Sequence, residues 1–216
     1  CSLYEFVCWE PSARGNPDQS AIVWIALRKR PAKAESIVHR SAKSEIAFPR
    51  SERTDQYRLK DFELLLTDLV RAKIAFKTTE EFSSMTPATK GAGLLKFDIH
   101  GNMRRPVEMA KILTSLHIPG LFLMMPRNPI NEDFFGNSET WERLREIREL
   151  GHEIGLHPDV FFLIRRYGDL YKGLEASVTE FSKRGFSIRS ATVHGDTRAH
   201  IKECKMQAND FFAEKY

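Results

Sequence analysis

The stretch "SETWERLREIRELGHEIGLH", residues 138–157, predicts a helix that leads directly into a short strand. Ser138, followed by acidic residues, is typical of a helix start, and Gly151 is typical of the position just after a helix end. The run "HEIGLH" (152–157) is short and largely apolar, which favours a buried strand. A single glycine between helix and strand indicates an α/β fold.

The same alternation of helix and strand extends in both directions along the chain. The predicted helices span residues 59–73, 79–85, 106–117, 138–150 and 167–185, and the predicted strands span residues 74–78, 94–100, 118–125, 152–157 and 188–194. A repeat of about 25 to 35 residues is typical of right-handed strand–helix–strand crossovers. We therefore predict a parallel sheet, either open or closed into a barrel.

Residues 1–56 have no comparable periodicity and are predicted to be an irregular N-terminal segment that packs on the barrel domain of residues 57–216. One stretch within this segment, "AIVWIAL" (21–27), is a continuous apolar run and predicts a buried strand.

Composition and charge exclude several classes of protein. The net charge is +4, but the 33 basic residues are spread among 29 acidic ones, and "LRKRPAK" (27–33) is the most basic stretch, so no nucleic-acid partner is expected. No run of apolar residues is long enough to span a membrane. Cys1, Cys8 and Cys204 lack C-x-x-C spacing, and no signal peptide is legible, so a cytoplasmic location is expected.

Three predicted strands end in a histidine. Asp98 and His100 end the strand 94–100, His157 ends the strand 152–157, and His194 ends the strand 188–194. The carboxyl ends of parallel strands meet at one edge of a sheet, where active sites are built. Alternation along the strand places Asp98 and His100 on one side and Ile99 on the other.

Imidazole and carboxylate groups that converge in this way are typical ligands of zinc and related divalent ions. We predict a divalent metal, most simply zinc, held by Asp98, His100 and His157. Asp98 is alternatively the catalytic base, and His194 is either a further ligand or the general acid to the leaving group.

The other histidines and two nearby aspartates have plainer interpretations. His152 has the opposite strand parity to His157, which favours a packing or hydrogen-bonding role. Asp159 and Asp196 each follow a candidate histidine by two residues, and each is a candidate to hydrogen-bond to a metal ligand and orient it. The remaining histidines lie in polar or helical contexts and carry no functional signal: His39, His117 and His200.

Four stretches of the chain resemble one protein family. They are "YRLKDFELLLTDLVRAKIAFKTTEEF" (57–82), "LLKFDIHGN" (94–102), "LREIRELGHEIGLHPD" (144–159) and "SATVHGD" (190–196). The second is similar to the T-F-D-D-G motif of the polysaccharide deacetylase (NodB-homology) superfamily, and the third to its G-H-E-I-G-x-H motif. The likeness is greatest to the divergent deacetylase-like branch, whose members are often encoded with surface-polysaccharide genes.

This resemblance implies a distorted (β/α) barrel of about seven strands. It also implies a divalent metal, commonly zinc, bound in part by the histidine of the second motif, His157. The implied reaction is hydrolytic removal of an acetyl group from a carbohydrate, at a carbon–nitrogen bond outside peptides or at an ester bond. The stretch after His194 is too short for the remaining strands, so the barrel is expected to be incomplete in this chain.

Two positions depart from the family's pattern. Ile99 stands where the first motif has its second aspartate, and Phe161 stands where the second motif adds another histidine. These departures leave an alternative open, namely a catalytically degenerate barrel that binds a glycan or a partner protein in surface-polysaccharide biosynthesis.

Overall fold

The computed structural model describes residues 59–85, 91–101, 103–126 and 136–194 in full, together with the backbone of two earlier strands. The six strands are β1 (Tyr4–Trp9), β2 (Ala21–Arg28), β3 (Ala75–Phe76), β4 (Ala92–Ile99), β5 (Leu121–Met124) and β6 (Glu153–Leu156). The six helices are α1 (Leu59–Arg71), α2 (Thr79–Ser84), α3 (Arg104–Ser115), α4 (Ser138–Glu149), α5 (Val160–Tyr167) and α6 (Leu170–Lys183).

The described strands form one sheet in the order β1-β2-β4-β5-β6, with β3 beside the start of β4. Four strands, β3 to β6, are parallel, which confirms the α/β class and the parallel sheet predicted from the sequence. The described strands form an open row, and closure into a barrel stays a prediction.

The N-terminal strands join this sheet in the opposite direction. β2 pairs antiparallel with β4, and β1 pairs antiparallel with β2. The strand at 21–27 was predicted and β1 was not. A six-residue, mostly apolar run such as "YEFVCW" has no alternation that separates a strand from other buried structure. The division of the chain at residue 57 stays a prediction.

The helix predicted over residues 167–185 is α6, which begins three residues later than predicted, at Leu170, because the chain turns at Gly168. Gly168 has φ 73°, a left-handed conformation that ends α5, and its N–H bonds to Ile164 O. Asp169 then caps α6 by accepting a hydrogen bond from Lys172 N. Helix α5 itself was not predicted, although Asp159 provides a cap at its start.

The strand predicted over residues 188–194 is reduced to a single parallel bridge, Leu156 with Ala191. Two backbone hydrogen bonds flank the bridge, from Leu156 N to Ser190 O and from Thr192 N to Leu156 O, both 2.9 Å long. Gly155 permits this close approach, since a Cβ there would lie 2.6 Å from Ser190 O and 2.5 Å from the Leu123 side chain. Residues 190–194 therefore lie directly beside β6.

The core is built where the helices pack on the parallel strands. Phe97 of β4 and Phe122 of β5 stack with ring centroids 4.5 Å apart, and Phe62 of α1 meets Phe97 edge-on at 6.0 Å. All three side chains are buried, and apolar burial of this kind stabilises the sheet that positions the site. Among the described residues, no helix is both long and apolar enough to cross a membrane.

Candidate metal centre

Backbone hydrogen bonds fix the three strand ends that carry His100, His157 and His194. His157 N donates to Met124 O at 2.8 Å, which extends the pairing of β5 and β6 by one residue. His194 N donates to Pro158 O at 3.0 Å, so the last histidine is tied to the chain just after β6. His100 directly follows β4, the strand paired with β5. The sheet therefore delivers all three histidines to its carboxyl edge.

The three imidazole rings are in mutual contact. Their centroids are 5.1 Å apart for His100 and His157, 5.0 Å for His100 and His194, and 5.2 Å for His157 and His194. The rings of His100 and His157 are stacked, and the ring of His194 stands nearly perpendicular to both. One nitrogen from each ring can be chosen so that all three lie within 4.8 Å of one another.

His157 is the most constrained of the three. Its side chain is buried, and Nδ1 lies 2.7 Å from Thr192 O. Because a carbonyl oxygen only accepts hydrogen bonds, Nδ1 carries the proton and donates it to Thr192. In the neutral ring Nε2 then keeps its lone pair, which is the form in which histidine binds a metal ion.

The electrostatics of the cluster favour neutral rings. Burial lowers the pKa of His157 to about 3, with a further lowering from His194. Burial likewise lowers the pKa of His100 to about 4, with additional lowering from His157 and His194 and a smaller opposing effect of Asp98. A proton on one ring would repel a proton on the next, so near neutral pH both rings are available as electron-pair donors.

Asp98 lies beside this cluster and outside it. Its Oδ2 makes an ion pair with Lys96 Nζ at 3.2 Å, and its Oδ1 is 3.8 Å from His157 Nδ1. That second distance is too long for a hydrogen bond, which His157 makes with Thr192 instead. The structure thus groups His194 with His100 and His157, and it places the predicted ligand Asp98 next to the partly buried Lys96.

Several other predicted roles can now be located. Ile99 is fully buried in the hydrophobic core, on the face of β4 opposite Asp98, so a carboxylate at position 99 would point away from the histidines. Phe161 lies half-buried in α5. Asp159 caps α5, with Oδ1 accepting from Phe162 N at 3.0 Å. Asp196 falls outside the described residues.

The plain interpretations of the other histidines are consistent with the structure. His152 is buried and its Nε2 lies 2.9 Å from Ala110 O, which confirms a hydrogen-bonding role. His117 is exposed in the turn after α3, with φ 55°. His39 and His200 fall outside the described residues.

The three histidines fit a divalent cation in donor type, and burial keeps the rings of His100 and His157 in the neutral form that binds a metal. Zinc prefers imidazole nitrogen at about 2.0–2.1 Å, which puts two ligands of a tetrahedral site about 3.3 Å apart. The nitrogens here lie within 4.8 Å of one another, so small rotations of the side chains would bring them to that spacing. Three histidines leave a fourth position for water or substrate, the pattern of catalytic rather than structural zinc sites.

Two residues of the site were missed from the sequence. Lys96 lies two positions before Asp98 on the same strand face, so strand alternation contained the signal for their ion pair. Thr192 acts through its backbone carbonyl, and no side-chain pattern indicates such a contact.

Comparison with known proteins adds no evidence about this site. No protein-family model, no curated protein and no solved structure matches this chain.

Proposed function

We propose that this protein is a metal-dependent hydrolase that removes an acetyl group from a carbohydrate, at an amide-type carbon–nitrogen bond or an ester bond. The observation that carries the proposal is the cluster of three imidazoles in mutual contact at the carboxyl edge of a parallel sheet, two of which, His100 and His157, are kept neutral by burial. The carbohydrate substrate comes from the resemblance of the sequence motifs to polysaccharide deacetylases.

In this proposal His100, His157 and His194 hold the ion through one nitrogen each, with zinc as the expected metal. When bound, the ion supplies a Lewis acid that polarises the substrate carbonyl and lowers the pKa of a water molecule. Thr192 O orients His157 by accepting its Nδ1 proton. Burial keeps the rings of His100 and His157 deprotonated and able to bind the ion.

Asp98 is the group that we assign to accept a proton during the reaction. Its carboxylate is buried within 3.8 Å of His157, close to the cluster and outside the histidine triad. Lys96 stabilises the ionised form through the 3.2 Å ion pair and holds Oδ2, so the proton would be accepted at Oδ1. In this assignment His194 takes the place of Asp98 among the three metal ligands predicted from the sequence.

The same proposal includes the finer architecture. We propose that the open parallel sheet is part of a distorted (β/α) barrel of about seven strands. The alternation of strands and helices from β3 to α6 supports it. The strand-like segment at residues 190–194 supports it too, because it continues the parallel sheet beyond β6.

One observation favours a second candidate function, the binding of a glycan or a partner protein without catalysis. The carboxylate of Asp98 is already engaged by Lys96, 3.2 Å from Oδ2, and this ion pair would compete with its use as a base. Phe161 adds to this, because an apolar side chain stands where the family has a further histidine.

A single titration separates the two functions. The purified chain, loaded with zinc, is mixed with an oligomer of N-acetylglucosamine and with an O-acetylated sugar, and released acetate is measured beside calorimetric binding. Metal-dependent acetate release that stops with chelator supports the hydrolase. Saturable binding with no acetate release supports the non-catalytic function and overturns the hydrolase.

The role of Asp98 is tested by Asp98→Asn, which is close in shape and cannot accept the proton. We expect acetate release to fall by about a hundredfold or more while zinc binding is retained. Loss of zinc in this variant would instead make Asp98 a ligand, as the sequence alone suggested. Asp68→Asn, at an exposed position of α1, is the matched control and is expected to change neither quantity.

A further inference from the structure

Hydrolysis of an amide needs two proton transfers, one from the attacking water and one to the leaving nitrogen. The nitrogen must gain a proton as the carbon–nitrogen bond breaks, because an amine without that proton is too basic to leave. In the proposed hydrolase Asp98 takes the proton of the water. His194 was the predicted donor to the leaving group, but its ring lies against the other two metal-binding rings. Another residue must therefore donate this second proton.

Lys96 lies beside the proposed base, on the same face of β4. Residues 96, 98 and 100 alternate along the strand, so their side chains share one side of the sheet. Lys96 Nζ is 3.2 Å from Asp98 Oδ2, and Asp98 Oδ1 is 3.8 Å from His157 Nδ1. One carboxylate thus spans the distance between the ammonium group and the histidine cluster.

The side chain of Lys96 is largely enclosed and still reaches solvent. It is 18% exposed, whereas the side chain of Asp98 is 5% exposed. Burial lowers the pKa of both His100 and His157, and the positive charge of Lys96 lowers each further, so the ammonium group acts on both rings. A proton donor at this position is close to the histidine cluster and within reach of a molecule that enters from solvent.

The ion pair links the two proton transfers. An ammonium group has three N–H bonds, so Lys96 is able to donate to Asp98 and to a substrate atom at the same time. While Asp98 is ionised, its negative charge attracts the ammonium group to Oδ2. Once Asp98 has taken the proton of the attacking water, the carboxyl group is uncharged and this attraction is lost. Nζ can then turn a proton to the leaving atom at the step that needs it.

We propose that Lys96 is the general acid of the hydrolase, donating a proton from Nζ to the leaving nitrogen or oxygen of the acetylated sugar. This inference rests on the proposed hydrolase function. The attacking water supplies its oxygen and one proton to acetic acid and its other proton to Asp98. As the bond from the acetyl carbon to the leaving atom breaks, that atom takes a proton from Nζ, and the amine or alcohol departs uncharged. Solvent then carries the proton of Asp98 back to Lys96, which restores the ion pair.

The experiment compares two leaving groups. The first substrate is the acetylated sugar that the zinc-loaded parent chain hydrolyses, whose leaving group must be protonated. The second is 4-nitrophenyl acetate, whose phenolate is weakly basic and leaves without a proton. The measured quantity is the ratio of the two rates, sugar over aryl ester. Because Asp98 acts on water in both reactions, a change in the base alone leaves this ratio unaltered.

Lys96→Gln removes the proton donor, and we expect the ratio to fall by about a hundredfold. A side chain that only held Asp98 in place would lower both rates by the same factor. An unchanged ratio in this variant would therefore overturn the proposal.

Lys96→Arg separates proton donation from charge. A guanidinium group keeps the positive charge and can pair with Asp98, but it does not release its proton in proteins. We expect the same fall in the ratio, with bound zinc unchanged by elemental mass spectrometry. A ratio equal to that of the parent chain in Lys96→Arg would assign charge alone to Lys96 and overturn its role as the acid.

Lys111→Arg is the matched control. Lys111 also forms ion pairs, with Glu108 at 3.3 Å and Glu146 at 3.2 Å, and it lies on the exposed side of α3, so the parent ratio is expected. Failure of the two proposals can be told apart. Absence of acetate release by the parent chain overturns the hydrolase function together with the role of Lys96, whereas release by the parent with an unchanged ratio in the Lys96 variants overturns the role of Lys96 alone.

Discussion

The two ends of β6 each carry a buried imidazole, and the two rings have different neighbours. At the amino end His152 donates from Nε2 to Ala110 O, and at the carboxyl end His157 donates from Nδ1 to Thr192 O. Burial lowers the pKa of both rings, so each is neutral near pH 7 and keeps one lone pair. The lone pair of His157 belongs to a cluster of nitrogen donors, whereas Nδ1 of His152 is enclosed by protein atoms and has no hydrogen-bond partner among the described residues.

This comparison shows that the neighbours of a buried histidine decide its chemistry. Several electron-pair donors in contact are suited to hold one cation between them, such as a metal ion. A single buried imidazole that donates to a backbone carbonyl instead ties two elements of the fold together. Four experiments test this distinction, and they are ordered here by the size of the expected effect.

The largest effect is expected from His157→Ala on metal content. Removing one of three ligands should lower bound zinc from about one ion per chain to almost none after equilibrium dialysis, measured by elemental mass spectrometry. His117→Asn is the matched control, because His117 is exposed and asparagine tolerates its positive φ. Retention of a full complement of zinc by His157→Ala would show that the three rings do not form the site.

The second effect concerns Gly155, which lies between the two ends of β6. In Gly155→Ala the new methyl group would overlap Leu123 and Ser190 O, so the free energy of unfolding should fall by about 2–3 kcal/mol. Urea unfolding measures it. Gly136→Ala is the control, since nothing lies within 4 Å of a Cβ there, and a change of less than about 0.5 kcal/mol is expected. Equal stability of the two variants would contradict the close packing described.

The third effect is a pH dependence of the metal-free protein. The pKa of His100 falls from 6.5 to about 4 on folding, so the unfolded chain binds its proton first as the pH is lowered. Stability is therefore complete above pH 6.5 and is lost as the pH falls from 6.5 towards 4.

The expected loss from His100 is about 2 kcal/mol between about pH 7.5 and about pH 4.5, measured by urea unfolding with chelator present. His100→Gln is the comparison, because it removes one titrating ring and should make this part of the profile less steep, with the remaining slope coming from His152 and His157. A profile that has the same slope in parent and variant would contradict the burial of a neutral His100.

The smallest effect concerns Asp159, which lies two residues after His157. Asp159→Ala removes the cap of α5 and should lower the free energy of unfolding by about 1 kcal/mol, while Asp159→Asn should retain most of it. Zinc affinity should be unchanged in both variants, because the carboxylate serves the helix. A tenfold loss of zinc affinity in Asp159→Asn would instead assign Asp159 to the support of the histidines, as first suggested by its position in the sequence.

Much of the parallel part of the fold was predictable, because its strands are apolar runs followed by amphipathic helices. The strand 94–100, the strand 152–157 and the helix starting at Ser138 were all predicted within two residues of their ends. The direction of β2 was not predictable, since an apolar run is equally compatible with either orientation in a sheet. The start of α6 was predicted three residues too early, at Tyr167, although Gly168 and Asp169 indicate a break and a new cap.

Some features of the candidate site were also predictable from the sequence, and others were not. The convergence of His100, His157 and His194 follows from where parallel strands end, which the sequence pattern indicates. The engagement of Asp98 by Lys96 depends on side-chain distances that strand alternation only suggests. The hydrogen bonds of His152 Nε2 are made with α3, more than thirty residues away in the chain, and no local sequence pattern indicates them. They leave Nδ1 without a hydrogen-bond partner among the described residues.

The single bridge between Leu156 and Ala191 has a consequence for exchange and affinity. Few backbone bonds hold residues 190–194, so this segment should open more readily than β5, and the amides of Thr192 and His194 should exchange with solvent faster than that of Leu123. Each opening removes His194 from the other two rings, so the apparent affinity for a metal ion is reduced by the open fraction. Bound metal would in turn slow exchange at these amides, so the segment would report occupancy at the site that it completes.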